Sequence, residues 1–492
     1  MTLVNEQRLI GMWWLATDSN REHKIGGTLL IDEEGRVKLD LTHELIATQS
    51  GSTRNHPSDE PVLIHGAAQG KRITLINCRE TNGSRTTMGQ EHTTTQVLRA
   101  EASLIGIHLQ NPDDAVFSGI RVQLSHMNKW ANKTGIRADF VWADEQGNHS
   151  GPLYTGTIEG IAPEHASLPQ KGIEATLCWR QNMTLDARTT AWDRQLHATE
   201  RVELHLQSVN PLSWSGFIEI YGGMQDLITV ATQSACVVGS KQLELSTDDV
   251  PTTTVDLYYH GSNTTVKDEP RQFDVLFSLA DMAPFAESFP TWMALRDKLG
   301  MPLDILLGLD YMPSGYYENQ LFNAGSAAEG IHAALRPQTT ALDTTAHQQV
   351  KKVVKDALKS AVRDDHIGDA TRQWATNSIG SNHPGLKLRC LELAEIPDQS
   401  AVTMLLGNVD YWARWVRDTR NAIGHATAGS EQKIPETARY RLLSITKALL
   451  HLVLMNELGL PPEVQQRAVT QLWGYQAAQF RKATIAAAAT KT

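Results

Sequence analysis

The period of the hydrophobic residues changes once along this chain, near residue 270, and that change constrains the fold more than any single motif. Before it, short runs alternate apolar and polar residues between turn-forming clusters, the pattern of antiparallel strands with one buried face. "GTLLID" and "RVKLDL" flank Glu33, Glu34 and Gly35 and predict a hairpin, and "PVLIHG" and "KRITLINC" flank "AAQG" and predict a second. "ERVELHLQ" and "SGFIEIYGG" read as further strands, whereas the Asn-, Gly- and Thr-rich stretches around Gly51 to Asp59 and Asn82 to Thr95 read as long loops. Many strands at this spacing predict a sandwich or a barrel.

Beyond Arg271 the runs lengthen and take the helical period. "PTWMALRDKLG" carries Pro290 as a start signal and Gly300 as a stop signal. "ENQLFNAGSAAEGIHAALRP" sets Leu321, Ala324, Ala328, Ile331 and Leu335 on one stripe and ends at Pro337. "HQQVKKVVKDALKSAVR", "DYWARWVRDTRNAIGH", "TARYRLLSITKALLHLVLMNELG" and "PEVQQRAVTQLWGYQAAQF" follow, a bundle of five or so helices. The fold class expected is α+β and multidomain, an N-terminal antiparallel β-sandwich or barrel-like domain followed by a C-terminal α-helical bundle. The expected division is a β-rich sensor or regulatory domain over 1–270, a helical connector over 271–317, a helical domain over 318–480 and an Ala-rich tail over 481–492, frayed from Ala486.

Length and charge sharpen this. The 492 residues exceed one ordinary domain, and 41% hydrophobic with 20% charged residues exclude a disordered chain. Residues 1–317 hold 25 Lys and Arg against 39 Asp and Glu, a net of −14, while residues 318–492 hold 20 against 16, a net of +4. A polyanion would therefore meet the C-terminal part. Cys78, Cys178, Cys236 and Cys390 lie too far apart for a zinc-finger spacing or a dense disulfide framework, which fits a reducing compartment. The early apolar stretch Leu9 to Leu15 is too short for a secretory segment, and no run reaches the length of a membrane span, so a cytoplasmic protein without membrane contact is expected.

Most familiar motifs are absent. "GAAQGK", Gly66 to Lys71, is one residue short of a phosphate loop, lacks the following Ser or Thr and joins two strands, so it reads as a turn. An Arg followed by four to six intervening residues and then a His occurs four times, at Arg36/His43, Arg85/His92, Arg121/His126 and Arg420/His425, close to the number composition alone produces. Context separates the last pair. It lies in the net-basic helical part, Asn421 follows the arginine, and the helix before it presents Arg414, Arg417 and Arg420 beside Tyr411, Trp412 and Trp415.

That combination resembles the HEPN superfamily, whose active-site pattern is Arg, a polar residue such as Asn, three further residues and His. With the β-rich N-terminal domain, the helix carrying Glu329, "LKLRCLELAEI" before the motif helix and the closing "LLHLVLMNELGLP", the chain resembles ApeA-type HEPN proteins, bacterial anti-phage defence nucleases. The resemblance spans roughly residues 300–475 for the helices and is one of position and texture for the β-domain. It implies a HEPN-like nuclease domain, Arg420, Asn421 and His425 as catalytic residues, no cofactor and no metal, and abortive defence by cleavage of tRNA or other structured RNA. It also implies a homodimer or higher homo-oligomer, and a phage-derived trigger is a possible further partner.

The chemistry suits these residue types. Metal-free RNA cleavage needs a base for the 2′-OH, positive charge on the phosphorane and an acid for the leaving oxygen. His425 offers an imidazole, a group suited to proton transfer near neutral pH, Arg420 offers a fixed fork of donors, and Asn421 can orient either. Five helical residues rotate by roughly 140°, so Arg420 and His425 share a cleft only if Gly424 ends or bends the helix. One imidazole per chain also points to two chains meeting here, with Trp412 and Trp415 as core or interface anchors. The same residues would equally serve C-terminal helix capping. Glu329 is a candidate supporting residue, or with His332 a solvated pair. Arg414, Arg417 and the stripe Lys351, Lys352, Lys355, Lys359 and Arg363 are candidate RNA contacts, or solvated surface. The alternative function is a non-catalytic one, with the β-domain binding a ligand such as a glycan and the bundle only oligomerising.

Overall fold

The computed structural model describes residues 6–46, 62–88, 91–141, 153–189, 194–245, 253–261, 275–312, 315–424 and 434–489. The chain forms two compact units, Met1–Met293 and Ala294–Thr492.

The first unit opens with six strands: β1 Gln7–Leu15, β2 Ile25–Ile31, β3 Val37–Leu41, β4 Val62–Ala68, β5 Lys71–Met88 and β6 Glu91–Ala100. Each pairs antiparallel with its neighbours in the ring β1-β2-β3-β6-β5-β4, and β4 returns to β1, so the barrel closes. Alternation directs one face inward. Leu29 and Ile31, Val37, Leu39 and Leu41, Leu75 and Leu98 are all buried in the barrel core. Trp13 is fully buried among them. It fits because Gly66 lacks a side chain: a methyl group built there would lie 2.2 Å from Trp13 Cζ3. Both expected hairpins are present, β2–β3 and β4–β5. The second turns at Gln69 and Gly70, whose φ values of 50° and 74° are those of a tight strand-to-strand turn, so "GAAQGK" is a hairpin.

The remaining elements of this unit are β7 Ala102–Ile105, β8 Phe117–Leu124, α1 Met127–Ala131, β9 Ile136–Val141, β10 Leu153–Ile158, β11 Glu164–Leu168, β12 Ile173–Thr189, β13 Arg194–Leu212, α2 Ile218–Thr232, β14 Val238–Leu245 and β15 Thr254–Tyr259. Strand β5 also pairs with β7, which carries the sheet outward in the order β7-β15-β14-β8-β13-β12-β11, while β9 and β10 pair separately.

Two expectations fail here. "SGFIEIYGG" enters helix α2 rather than a strand. Ile220, Tyr221, Met224, Leu227, Ile228 and Val230 are buried around much of its circumference, so its short Ile-Glu-Ile-Tyr alternation marks a buried helix. The stretch Asn82 to Thr95 is largely the β5–β6 hairpin, paired from Asn82 with Val97 to Met88 with Glu91. Its threonines are β-branched residues that favour the extended backbone whatever their polarity. The stretch Gly51 to Asp59 lies outside the described residues.

The helices that follow are α3 Phe285–Leu299, α4 Met301–Tyr311, α5 Tyr317–Leu335, α6 Thr344–Arg363, α7 Asp369–Ser378, α8 Leu386–Ala394, α9 Gln399–Leu406, α10 Val409–Gly424, α11 Glu436–Glu457, α12 Pro462–Leu472 and α13 Gly474–Ala489. There are more of them than the five or so expected, because α7 and α9, of 10 and 8 residues, are too short to sustain a helical period and the last long run breaks at Trp473. Helix α3 begins after Pro284, whose carbonyl accepts from Glu287 and Ser288, so Pro290 lies inside it and is not its start. The Ala-rich end does not fray at Ala486 but stays helical to Ala489. Phe480 and Thr484 are buried, and Thr484 Oγ1 donates to the Leu406 carbonyl at 2.8 Å.

Helix α11 is apolar almost all round and is the centre of the helical unit, buried from Leu442 to Met455 except on a narrow strip. Helix α10 lays Trp412, Trp415, Val416 and Thr419 inward. Trp412 Nε1 donates to Thr446 Oγ1 of α11 at 3.2 Å, and Trp415 packs edge-on against Phe480. Both tryptophans therefore belong to the core of their own unit and are not interface anchors.

Candidate active site

The motif helix meets α5 at a glycine. A methyl group on Gly325 would lie 3.2 Å from Arg420 Cγ and 3.3 Å from its Cβ, so the stem of Arg420 rests on bare α5 backbone. From there the guanidinium reaches the residues on either side of Gly325. Its Nη2 donates to Glu329 Oε2 at 3.2 Å, and its central carbon lies 5.4 Å from the centroid of the Phe322 ring. Phe322, Gly325 and Glu329 fall at i, i+3 and i+7, one stripe of α5. The Glu329 carbonyl accepts from Arg389 Nη1 of α8 at 3.2 Å. Arg420 Nε is shielded from solvent and has no acceptor among the described residues.

Past Arg420 the helix runs for one more turn. Asn421 is exposed, Ala422 is buried, and a methyl group on Gly424 would lie 3.3 Å from Phe322 Cε2. Gly424 is the last residue of this helix among the described residues. His425 lies outside the described residues, so the site is built from Arg420, Asn421 and the chain end that leads to it. Arg420 spends its hydrogen bond on α5 rather than on the last carbonyls of its own helix.

The other arginines carry carboxylate partners on α10 itself. Arg414 Nη2 donates to Asp410 at 2.7 Å and its guanidinium covers the Tyr411 ring, while Arg417 Nε donates to Asp418 at 2.8 Å. Asp410 is also paired with Lys387, and the Lys387 ammonium with the Arg414 guanidinium holds its carboxyl below the usual 3.8. A phosphate at Arg414 or Arg417 would have to compete with these carboxylates. Lys352, Lys355 and Lys359 lie on α6, which with α7 buries no residue at all, and Lys359 has Asp356 at 4.0 Å. Val353 on α6 is 67% exposed and Trp374 on α7 is 70% exposed.

Glu329 and His332, adjacent on α5, have separate partners. Glu329 takes Arg420, whereas His332 is 1% exposed with its Nε2 2.6 Å from Glu392 Oε2 of α8. The solvated-pair reading therefore fails for His332. Beside it on α8, burial pushes the Cys390 thiol up to about 12. Sequence reasoning missed Phe322, Gly325, Arg389 and Glu392. The i, i+3, i+7 spacing of the first two with Glu329 was readable, but the contacts from α8 come from tertiary packing and leave no local signal. Of the other Arg/His pairs, Arg121 is bound to the buried Glu244 at 2.7 Å and Arg36 to Asp32 at 2.7 Å, each within the β-rich unit.

Among the described residues no three His, Cys, Asp or Glu side chains cluster as metal ligands, and no helix is long and apolar enough to cross a membrane. A family model described as ApeA N-terminal domain 1 matches residues 8–292, and one described as Apea-like HEPN matches residues 322–464. No curated protein and no solved structure matches the chain. The two models follow one another along the sequence as the β-rich and helical units do, and the chain belongs to the ApeA-type HEPN proteins, a nuclease-type family of defence proteins.

Proposed function

We propose that this protein is a metal-independent endoribonuclease of anti-phage defence, acting on tRNA or other structured RNA at a site shared by two chains. The observation that supports this reading is Arg420, held at the α5–α10 crossing with a side chain about one-third exposed, one residue before Asn421 and in the last described turn of the helix that leads to His425 in the sequence. An arginine fixed along its stem and open at its fork is suited to gripping two oxygens of one phosphate.

In the proposed reaction one imidazole removes the proton of a ribose 2′-OH and the 2′-oxygen attacks the adjacent phosphorus. The new 2′-O–P bond forms as the P–O5′ bond breaks, Arg420 neutralises the charge that gathers on the equatorial oxygens, and a second imidazole protonates the departing 5′-oxygen. The products are a 2′,3′-cyclic phosphate and a 5′-OH. His425 of each chain supplies one imidazole. The acidic β-rich unit then suits a sensing role that keeps polyanions away until triggered.

The test is RNA cleavage by purified protein in EDTA, with end-group analysis of the fragments. Cyclic phosphate and 5′-OH ends are expected, with loss of activity in Arg420→Ala and His425→Ala and none in Arg121→Ala. A 5′-phosphate product, activity abolished by EDTA, or wild-type rates in folded His425→Ala would overturn it.

A further inference from the structure

We infer that Phe322 is a positioning residue for Arg420, fixing the plane of the guanidinium and how closely the Gly424 turn of the motif helix approaches α5; this rests on the reading of Arg420 given above. The ring does two things at once. One face lies under the guanidinium at 5.4 Å, and the Cε2 edge comes so close to Gly424 that a methyl group there would sit at 3.3 Å. The same side chain thus touches the first residue of the Arg-Asn-x-x-x-His pattern and the residue just before its last.

Glu329 cannot do this work alone. It holds the guanidinium by a single hydrogen bond from Nη2 at 3.2 Å, with side-chain exposures of 31% for Arg420 and 38% for Glu329, a solvent-screened contact about which the fork can still swing. The carboxylate also competes with an incoming phosphate for the same donor. A neutral ring does not. It attracts the cation through its π face whether or not the fork is occupied by substrate, and guanidinium, planar and weakly hydrated, is the cation best suited to that face. Gly325 completes the seat by leaving no side chain between the Arg420 stem and α5.

The experiment compares Phe322→Leu, which keeps apolar bulk and loses the π face, with Phe322→Tyr, which keeps both. Leu is expected to lower kcat about tenfold with little change in KM, because misplacement of a transition-state contact costs turnover and not ground-state binding. Tyr is expected to restore kcat. Phe322→Met, close in volume and flexible, replaces Leu if that variant fails to fold. Independently of activity, a double-mutant cycle of Phe322→Leu with Arg420→Met on unfolding should show a coupling of about 2- to 5-fold in the equilibrium constant. Wild-type kcat in folded Phe322→Leu, equal defects in Leu and Tyr, or an absent coupling overturns the assignment. If the nuclease proves indifferent to His425, the reading of the whole site falls and takes this positioning role with it, while the coupling survives. If His425 is essential and Phe322→Leu turns over normally, only the positioning role falls.

Discussion

Arg420 and Glu329 face each other across the α5–α10 crossing at 3.2 Å, so a carboxylate already occupies one donor of the guanidinium proposed to grip phosphate. With Glu329 more than one-third exposed, the pair contributes less than about 1 kcal/mol to stability, so its larger effect is expected on RNA binding. Glu329→Gln preserves the shape and removes the charge. It should leave the melting temperature nearly unchanged, tighten RNA binding by about 3- to 10-fold, and steepen the salt dependence by roughly one phosphate contact. Weaker binding in the folded variant would mean that Glu329 assists substrate contact instead of competing with it.

The hairpin "GAAQGK" allows a sharper test of the barrel. Gly66 and Gly70 stand four residues apart and fail for different reasons when given a methyl group. At Gly66 the methyl would collide with the Trp13 ring at 2.2 Å, an overpacking that costs about 1–3 kcal/mol or more in a closed core. At Gly70 nothing lies within 4 Å, and the cost is only that of holding a side chain at φ 74°, about 1–2 kcal/mol. Denaturant titration should therefore rank Gly66→Ala below Gly70→Ala, and Trp13→Leu should rescue Gly66→Ala but not Gly70→Ala.

A third prediction concerns acid. His65 and His108 stack at 4.4 Å with Trp14 edge-on to both, and each has its Nε2 on a backbone carbonyl, of Leu109 at 2.7 Å and Gly66 at 2.9 Å. Burial holds both imidazoles below the usual 6.5. The charged neighbours of this pair, Arg21 for both and Arg72 for His108, act in the same direction. The unfolded chain then binds protons that the fold refuses, so stability is intact above about pH 6.5 and falls as pH drops below it. Hydrogen exchange of the barrel amides at pH 7.5 and 5.5, corrected for intrinsic rates, should show faster opening in acid. His108→Gln, which keeps a donor for the Gly66 carbonyl, should flatten that dependence; an unchanged slope would place the proton uptake elsewhere.

What the sequence made legible, and what it hid, follows from the range of the interactions. The hairpin at Glu33 to Gly35 and the turn at Gln69 and Gly70 are set by neighbours a few residues apart, and both were readable. Helix α2 was misread because a segment buried around most of its circumference loses the polar face that declares a helical period. The β5–β6 hairpin was misread because threonine looks like loop composition when polarity is weighed and like strand when branching is. At the site, Arg420 stood out by context and Glu329 by its helix face. The partition of Glu329 to Arg420 and of His332 to Glu392 depends on where α8 lies, which no local pattern encodes.

The last prediction concerns the second imidazole. His332 is the nearest histidine along the α5 face that carries Glu329, but it is 1% exposed and bound to Glu392, so it cannot reach a ribose or a leaving oxygen. Trp412 and Trp415 are spent on the core, and Trp412→Ala should cost about 3–5 kcal/mol of stability rather than merely weaken an association. If acid and base are both His425, they come from two chains. Mixing wild-type with excess His425→Ala chains then leaves only wild-type pairs competent, so activity should fall as the square of the wild-type fraction: at a fraction of one quarter, about one-sixteenth remains instead of about one quarter. Exchange of chains must be verified first, with differently labelled copies, because pairs that never exchange give the proportional result trivially. Proportional activity after demonstrated exchange would rule out the composite site even with Arg420 and His425 both essential, and the proton for the 5′-oxygen would then have to come from water or from another group of the same chain.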